Sequence, residues 1–542
     1  MTKETIDLLF PDATLTPEVW EAKYPPRQLP EGAMVTRVAP SPTGFMHIGT
    51  VMTALFAERM ARQTGGVFFL RVEDTDKKRE VKGAVNIITK GLSYYGITVD
   101  EYPDGPYGPY TQSERKYIYL TYARHLVEKG FAYPCFATPE ELEKARAEQE
   151  GLKTRPGYYG RWATWREGSE EAVHERLNAG VPFVIRMRSA GSHERKVSFD
   201  DAIKGKIMMP ENDIDAVLIK ADKLPTYHFA HVVDEHLMRV THVTRGDEWL
   251  PSLSIHVELF GMFGWELPVF GHSAPIEKKE GSSRRKLSKR KDPEASVEHY
   301  EKEGYPAQSV QEFLLNLLNS NFEDWRKENP ILTNNEFKLS FEKMSVSGAL
   351  FDLAKLNDVS KEVISRMSAE QVYDLAIAWA KEHDEHLAQV IAGDKPYALT
   401  VLAIERNQEK PRKDIAKWSE LWGEISYFYE EPEMGGETSV GAEHVKQSKE
   451  IVEAFIVEYD QQDDKERWLD KLRAMAERLG YARDTKSYKA EPEKYKGTLG
   501  DVTKVLRLLL AGRAVSPDLW EVMRVLGEKK VRARLGTICD LD

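Results

Sequence analysis

Cysteine is nearly absent: the 542 residues hold two, Cys135 and Cys539. One pair cannot staple a chain of this length into a disulfide framework, so the composition suits a reducing compartment. Long apolar runs are missing as well. No stretch approaches the ~20 residues a bilayer span requires. The opening Met1-Thr-Lys-Glu-Thr-Ile-Asp-Leu-Leu-Phe10 is broken by acidic residues where a secretory leader needs an apolar centre. A cytoplasmic protein with no membrane partner is the expectation. Net positive charge is lacking too, the formal balance being −12. That excludes a uniformly basic surface but not a basic face, and one face is enough to hold a polyanion. Arg284–Lys291 and Lys529-Lys530-Val-Arg532-Ala-Arg534 are the candidate patches; each reads equally well as solvated surface, and the terminal one, taken alone, reads better so. What remains is a globular composition, 41% hydrophobic, over a length that implies two to four domains. No internal repeat is found.

Two segments carry chemistry. Ala33 to Ala39 reads as a short buried strand, with Met34, Val35 and Val38 at its apolar positions. Pro40-Ser41-Pro42-Thr43-Gly44 then forces a turn. Beyond it Ile48, Val51, Met52, Leu55, Phe56 and Met60 recur at helical spacing until Gly65-Gly66 stops the helix. His47 and Gly49 therefore stand at the start of a helix, whose unpaired N–H groups and positive dipole end suit a phosphate. Gly49 leaves room for a flat base against backbone, and His47 can donate to a phosphoryl oxygen. An ordinary strand–turn–helix with an incidental histidine fits the same residues. The second segment weighs against that. Within Arg284–Lys291 only Leu287 and Ser288 carry no charge, and the run lies between Gly281-Ser282-Ser283 and Asp292-Pro293. This pattern predicts a mobile loop of ammonium groups able to close over a triphosphate and stabilise charge on departing diphosphate. Together the two segments point to a nucleotide site that adenylates a carboxylate.

At these residues the chain resembles the class I aminoacyl-tRNA synthetases, and among them the glutamyl-tRNA synthetase family. His47-Ile-Gly-Thr50 is similar to the family's HIGH motif, with Thr50 in place of the last histidine, and Lys286-Leu-Ser-Lys-Arg290 to its KMSKS motif. Arg71-Val-Glu73-Asp74-Thr75-Asp76, Tyr110-Thr-Gln-Ser-Glu-Arg115 and Thr244-Arg245-Gly-Asp-Glu248-Trp249-Leu250 resemble three further family segments, in order, between about Val35 and Pro293. The resemblance implies an α/β fold: a Rossmann-type catalytic domain with an α+β acceptor-binding insertion, followed by an all-α anticodon-binding half. The expected boundaries are an N-terminal extension over 1–32, catalytic halves at 33–110 and 213–270, and an insertion at 111–212. A stem-contact region at 271–365 and a helical anticodon region at 366–542 complete them.

By the same resemblance Arg37, Ser41, Glu73, Tyr227, His231 and Arg245 bind glutamate. Arg245 faces its side-chain carboxylate with a planar pair of donors, and Glu73 takes the ammonium. His47, Gly49, Thr50, Glu248, Trp249, Leu287, Ser288 and Lys289 contact ATP, which brings Mg²⁺, while His47, Lys286 and Lys289 serve the chemistry. The implied activity is glutamate–tRNA ligation in a monomer, with tRNA-Glu as partner. Charging of tRNA-Gln with glutamate, a glutaminyl enzyme and a noncatalytic RNA-binding paralogue are the alternatives. Arg245 argues against the glutaminyl one, because a cation there would be left unpaired by an amide. Two departures stand out. His231 occupies a position where many relatives carry asparagine. Zinc, which some relatives bind, is not expected: Cys135-Phe136-Ala137 has lost a second cysteine and Gly160–Thr164 offers neither later ligand of the four required.

Elsewhere the sequence reads more coarsely. Phe131, Tyr133, Tyr158, Tyr159, Trp162 and Trp165 make the insertion aromatic-rich, mostly as core, and Val184–Arg188 alternates as a strand. Helical spacing recurs beyond Pro293, with Ser516-Pro517 as a cap and first turn and Ser426–Lys446 as an acidic linker.

Overall fold

The computed structural model describes residues 1–432 and 442–538. Cys539, and the acidic linker from residue 433 to 441, lie outside the described residues. The chain divides into two compact units, Met1–His299 with Gln311–Asp352, and Tyr300–Val310 with Leu353–Asp542.

The first unit begins with two short helices, α1 (Lys3–Leu9) and α2 (Pro17–Lys23). The first is capped by the Thr2 hydroxyl, which accepts the Thr5 N–H. Trp20, Tyr24 and Leu9 are buried, so the extension belongs to the unit's main core. Strand β1 (Val35–Val38) follows, then helix α3 (Ile48–Thr64), strand β2 (Val67–Leu70) and helix α4 (Ala84–Tyr94). The strands β1 and β2 run parallel, Val35 opposite Val67 through Val38 opposite Leu70, as a strand–helix–strand crossover requires. Helix α3 ends where expected, because Gly65 adopts φ 70° and its N–H caps the last turn.

Helix α5 (Lys116–Glu128), strand β3 (Ala132–Cys135), helices α6 (Pro139–Gly151) and α7 (Glu170–Asn178) and strand β4 (Val184–Met187) come next. They are followed by the antiparallel hairpin of β5 (Lys196–Asp201) and β6 (Gly205–Pro210), and by β7 (Val217–Ile219). Strands β3, β4 and β7 form one sheet in that order, and a small separate core of Tyr133, Cys135, Tyr158 and Ala163 packs on it. Of the aromatic residues read as core, Tyr133 and Tyr158 are buried and Trp165 packs beside them, whereas Phe131 is exposed. Cys135 points its Sγ at the Tyr158 hydroxyl, 3.3 Å away.

Helix α8 (Tyr227–Leu237) leads to strand β8 (His242–Gly246), helix α9 (Leu253–Phe263) and strand β9 (Val269–Ser273), with β8 parallel to β9. The Thr241 N–H donates to Val35 O at 3.1 Å, which sets this second pair beside β1. Strands β10 (Ile276–Glu280) and β11 (Ser283–Lys286) then form a hairpin that carries the basic segment.

The second unit is helical, apart from turns, among its described residues. Ala369–His383, for example, opens with a capping box from Ser368 and Gln371. One expected cap is displaced: helix Leu519–Leu526 is capped by Asp518, which accepts the Glu521 N–H, and not by Ser516. The Ser516 hydroxyl instead donates to Pro517 O, and the helix starts at Leu519, two residues later than expected. The terminal basic patch is only partly a solvated face: Lys529 is exposed, but two of its arginines turn onto backbone carbonyls. Arg534 is buried and donates to the carbonyls of Tyr427, Leu510 and Glu430, and Arg532 donates to those of Ile456 and Tyr459.

Candidate active site

A cavity of about 350 Å³ opens at the C-terminal ends of β1, β8 and β9, against the start of α3. This is the crevice where parallel α/β sheets place ligands. Arg37, His47, Gly49, Thr50, Glu73, Tyr227, Arg245, Glu248, Trp249 and Lys286 all line it, although the chain separates them widely.

The start of α3 forms one wall. His47 is the N-cap, and its Nδ1 accepts the Gly49 N–H at 2.9 Å. Nδ1 is thereby the lone-pair nitrogen, so Nε2 carries the proton and donates to Leu287 O at 3.3 Å. Burial holds the imidazole below its ordinary pKa, which keeps it neutral and a donor. A β-carbon on Gly49 would stand 3.0 Å from His47 Nδ1, so glycine is what the cap tolerates there.

Charged groups build the floor. Glu235, on the inner face of α8, accepts from Arg37 Nε and Arg71 Nη2, both at 2.9 Å. Arg71 Nη2 also reaches Glu73 Oε1 at 2.9 Å. Asp234 accepts from Arg115 Nε at 2.7 Å, Gln112 Nε2 at 2.9 Å and the Tyr119 hydroxyl at 2.8 Å. Burial would raise Glu235, but Arg37 and Arg71 hold it well below the usual carboxylate range. Glu73 behaves oppositely: burial pushes it up and the pull of Arg71 and Arg37 does not compensate. A carboxylate so placed favours an incoming cation.

Arg245 faces the opposite way in charge. Its Nε donates to His272 Nε2 at 3.0 Å and its Nη1 to the Tyr227 hydroxyl at 3.2 Å. Its Nη2 is buried with no hydrogen-bond partner, and among the described residues no carboxylate pairs with it. Burial lowers its pKa, the sign of a cation short of counter-charge. Tyr227 lies against Trp249 with ring centroids 4.3 Å apart, making a flat apolar wall beside the guanidinium.

The basic segment is clamped at its base, while Lys286, Lys289, Arg290 and Lys291 are exposed. Arg285 grips Asp292 through two hydrogen bonds of 2.6 and 2.8 Å, and the Ser288 N–H donates to the same carboxylate at 2.8 Å. Those bonds hold Asp292 well below its ordinary range. Lys286 pairs with Glu248 at 3.1 Å, Leu287 is buried, and the Lys289 ammonium rests 4.0 Å from the centre of the Phe45 ring.

Two of the residues singled out from sequence stand outside the cavity on the glutamate side. Ser41 lines an adjoining hollow with Thr75, Lys77 and Lys220. His231 is fully buried behind Tyr227, with its ring 4.5 Å from that of His256. Its Nδ1 lies 3.1 Å from Glu235 Oε1 but makes no hydrogen bond, and burial pushes its pKa down to about 3. Sequence reading overlooked Asp234, Glu235, Asp201, His256 and His272. Only Asp234-Glu235 gave a signal, as adjacent acids following the apolar Val232-Val233 of α8.

The family model for the catalytic domain of class I tRNA synthetases (E and Q) matches residues 33–358, and that for an anticodon binding domain matches 371–539. The chain is 48% identical to a glutamate–tRNA ligase of Clostridium perfringens (strain 13 / Type A), over 98% of this chain and 99% of the relative. It is 46% identical to a glutamate–tRNA ligase of Acetivibrio thermocellus, over 98% and 99% of the two chains. Among solved structures, that of a glutamate tRNA ligase from Elizabethkingia meningosepticum in complex with its amino acid superposes with a TM-score of 0.74 at 29% identity, covering 94% of this chain and 100% of that one.

Proposed function

The chain belongs to the class I tRNA synthetases of the glutamate and glutamine branch, and on that premise we propose that it is a glutamate–tRNA ligase whose cavity holds glutamate and ATP together. The observation that carries the choice of amino acid is Arg245, a buried guanidinium whose Nη2 has no hydrogen-bond partner and with which no carboxylate among the described residues pairs. A substrate carboxylate completes that arrangement, whereas an amide leaves the charge unpaired.

Glutamate binds with its side-chain carboxylate on Arg245 and the Tyr227 hydroxyl and its ammonium on Glu73. Arg37, fixed by Glu235, faces the α-carboxylate. ATP lies across Gly49 with its base toward the β9 end of the cavity, and Mg²⁺ travels on its phosphates. One oxygen of the α-carboxylate attacks the α-phosphorus, the bond from that phosphorus to the bridging oxygen breaks, and diphosphate leaves with the electron pair. Glutamyl-adenylate remains. The His47 Nε2–H, which donates to Leu287 O in the free protein, turns to a phosphate oxygen. Lys286 and Lys289 leave Glu248 and Phe45 to hold the departing charge. In the second step a ribose hydroxyl of the 3′-terminal adenosine of tRNA-Glu attacks the acyl carbon and AMP leaves. Positioning and electrostatics supply the acceleration, and no side chain forms a covalent intermediate. Ser41 and His231 serve at one remove, Ser41 at the rim and His231 as packing that holds Tyr227.

Arg245→Ala tests the assignment. It is expected to abolish glutamate charging while ATP affinity, read by equilibrium dialysis, stays near that of the parent. A variant that still charges glutamate with an unchanged KM would remove Arg245 from the pocket.

A further inference from the structure

The free Nη2 of Arg245 is useful only if the rest of the guanidinium is held still, and the structure shows what holds it. Asp201, the last residue of β5, accepts the N–H groups of Ile203 and Lys204 at 3.0 and 2.9 Å, so the turn between β5 and β6 fixes its carboxylate. The same carboxylate accepts from the His272 backbone N–H at 3.2 Å and lies 2.5 Å from His272 Nδ1. Nδ1 therefore carries the proton. Nε2 keeps its lone pair, and that lone pair faces Arg245 Nε at 3.0 Å. Asp201 is 3% exposed and the His272 imidazole is fully buried, so water cannot substitute for either.

We propose that Asp201 and His272 are positioning residues that orient Arg245 toward the side-chain carboxylate of the amino-acid substrate. The inference rests on the reading of Arg245 given above. Its physical content lies in the order acid, neutral imidazole, guanidinium. An aspartate in direct contact would orient the arginine as well, but it would also neutralise the charge on which recognition of a carboxylate depends. An interposed imidazole passes on the orientation and leaves the positive charge for the ligand. The arrangement also ties the amino-acid pocket to the β5–β6 hairpin, whose residues lie far along the chain from β8.

The test compares His272→Leu, His272→Gln and Asp201→Asn with the parent in full-length protein. Aminoacylation of tRNA-Glu gives separate KM values for glutamate and ATP, and thermal melting is followed in parallel. Leucine removes the acceptor and leaves a buried charged donor unsatisfied. The KM for glutamate is expected to rise about ten- to a hundredfold, with the KM for ATP staying within about twofold. Glutamine can place Oε1 near the position of Nε2, so His272→Gln is expected to recover most of the loss. Asp201→Asn weakens the fixed proton placement and is expected to fall between the two. Equal rises in both KM values that track a lowered melting temperature, in leucine and glutamine variants alike, would overturn the positioning role. So would an unchanged KM for glutamate in His272→Leu. Arg245→Ala measured alongside separates the two levels: if it loses glutamate use while His272→Leu keeps it, only the positioning role falls, and if it keeps glutamate use, both fall.

Discussion

Glu235 shows how much a single residue does in this site. It joins two guanidinium groups, from Arg37 and Arg71, at a position without exposure to water. Breaking a buried ion pair from one side commonly costs ~3–5 kcal/mol, because the other charge stays behind uncompensated. Glu235→Ala is therefore expected to lower the melting temperature sharply and to remove glutamate binding with it, as scanning calorimetry and dialysis would show. Retained stability would mean that Arg37 and Arg71 find other partners. At this scale the sequence was legible where the chemistry is local. His47 and Gly49 stand at a helix start that their immediate neighbours mark, whereas Glu73 enters only through the family resemblance. Asp201 and His272 carry no such mark, because they meet across 71 positions of sequence and neither stands in a patterned segment. His231 illustrates a different gap. Phe229 to Glu235 are buried without a break, so α8 has no periodic face from which the sequence could tell whether His231 looks into a cavity or into its back wall.

At the scale of elements, the start of α3 and the Lys286–Arg290 segment work as a pair, since the His47 imidazole donates to the Leu287 carbonyl. A β-carbon at position 49 crowds His47 Nδ1, so Gly49→Ala is expected to raise the KM for ATP with little effect on that for glutamate. Lys289→Ala removes a charge-stabilising contact and is expected to lower kcat ~10²–10³-fold; unchanged single-turnover adenylate formation would deny Lys289 that role. The strand–turn–helix was readable because apolar spacing, prolines and glycines act within a few residues. The clamp of Arg285 on Asp292 was not, because no spacing rule marks an ion pair across a turn. The N-terminal helices add a pH dependence. Glu21 of α2 accepts from His236 at 2.8 Å and Arg239 at 2.7 Å, bonds that outweigh burial and bring its pKa down to about 2. A carboxylate depressed in the folded state stabilises above its unfolded pKa of about 4.3 and ceases to do so as pH falls toward the folded value. The loss of melting temperature in Glu21→Gln should be full at neutral pH and fade between about pH 4 and pH 2. A loss independent of pH would mean that packing, not charge, is what Glu21 contributes.

For the whole molecule, one chain carries two matched regions, a class I catalytic domain over 33–358 and an anticodon binding domain over 371–539. The division into an α/β front and a helical remainder was visible in the change of apolar spacing past Pro293. The two compact units nevertheless interleave along the chain, with Tyr300–Val310 joining the second and Gln311–Asp352 the first. Sequence spacing cannot show such an exchange, since it depends on tertiary packing. On the proposed reading, the choice of glutamate rests on Arg245, buried and paired with no carboxylate among the described residues. That reading is tested most directly by charging purified tRNA-Glu and tRNA-Gln, each with labelled glutamate and with labelled glutamine. Glutamate on tRNA-Glu and no glutamine on either tRNA are expected; glutamate on tRNA-Gln as well would widen the range of tRNAs and leave the pocket as described. Glutamine esterified to either tRNA at a rate comparable to glutamate would contradict that reading.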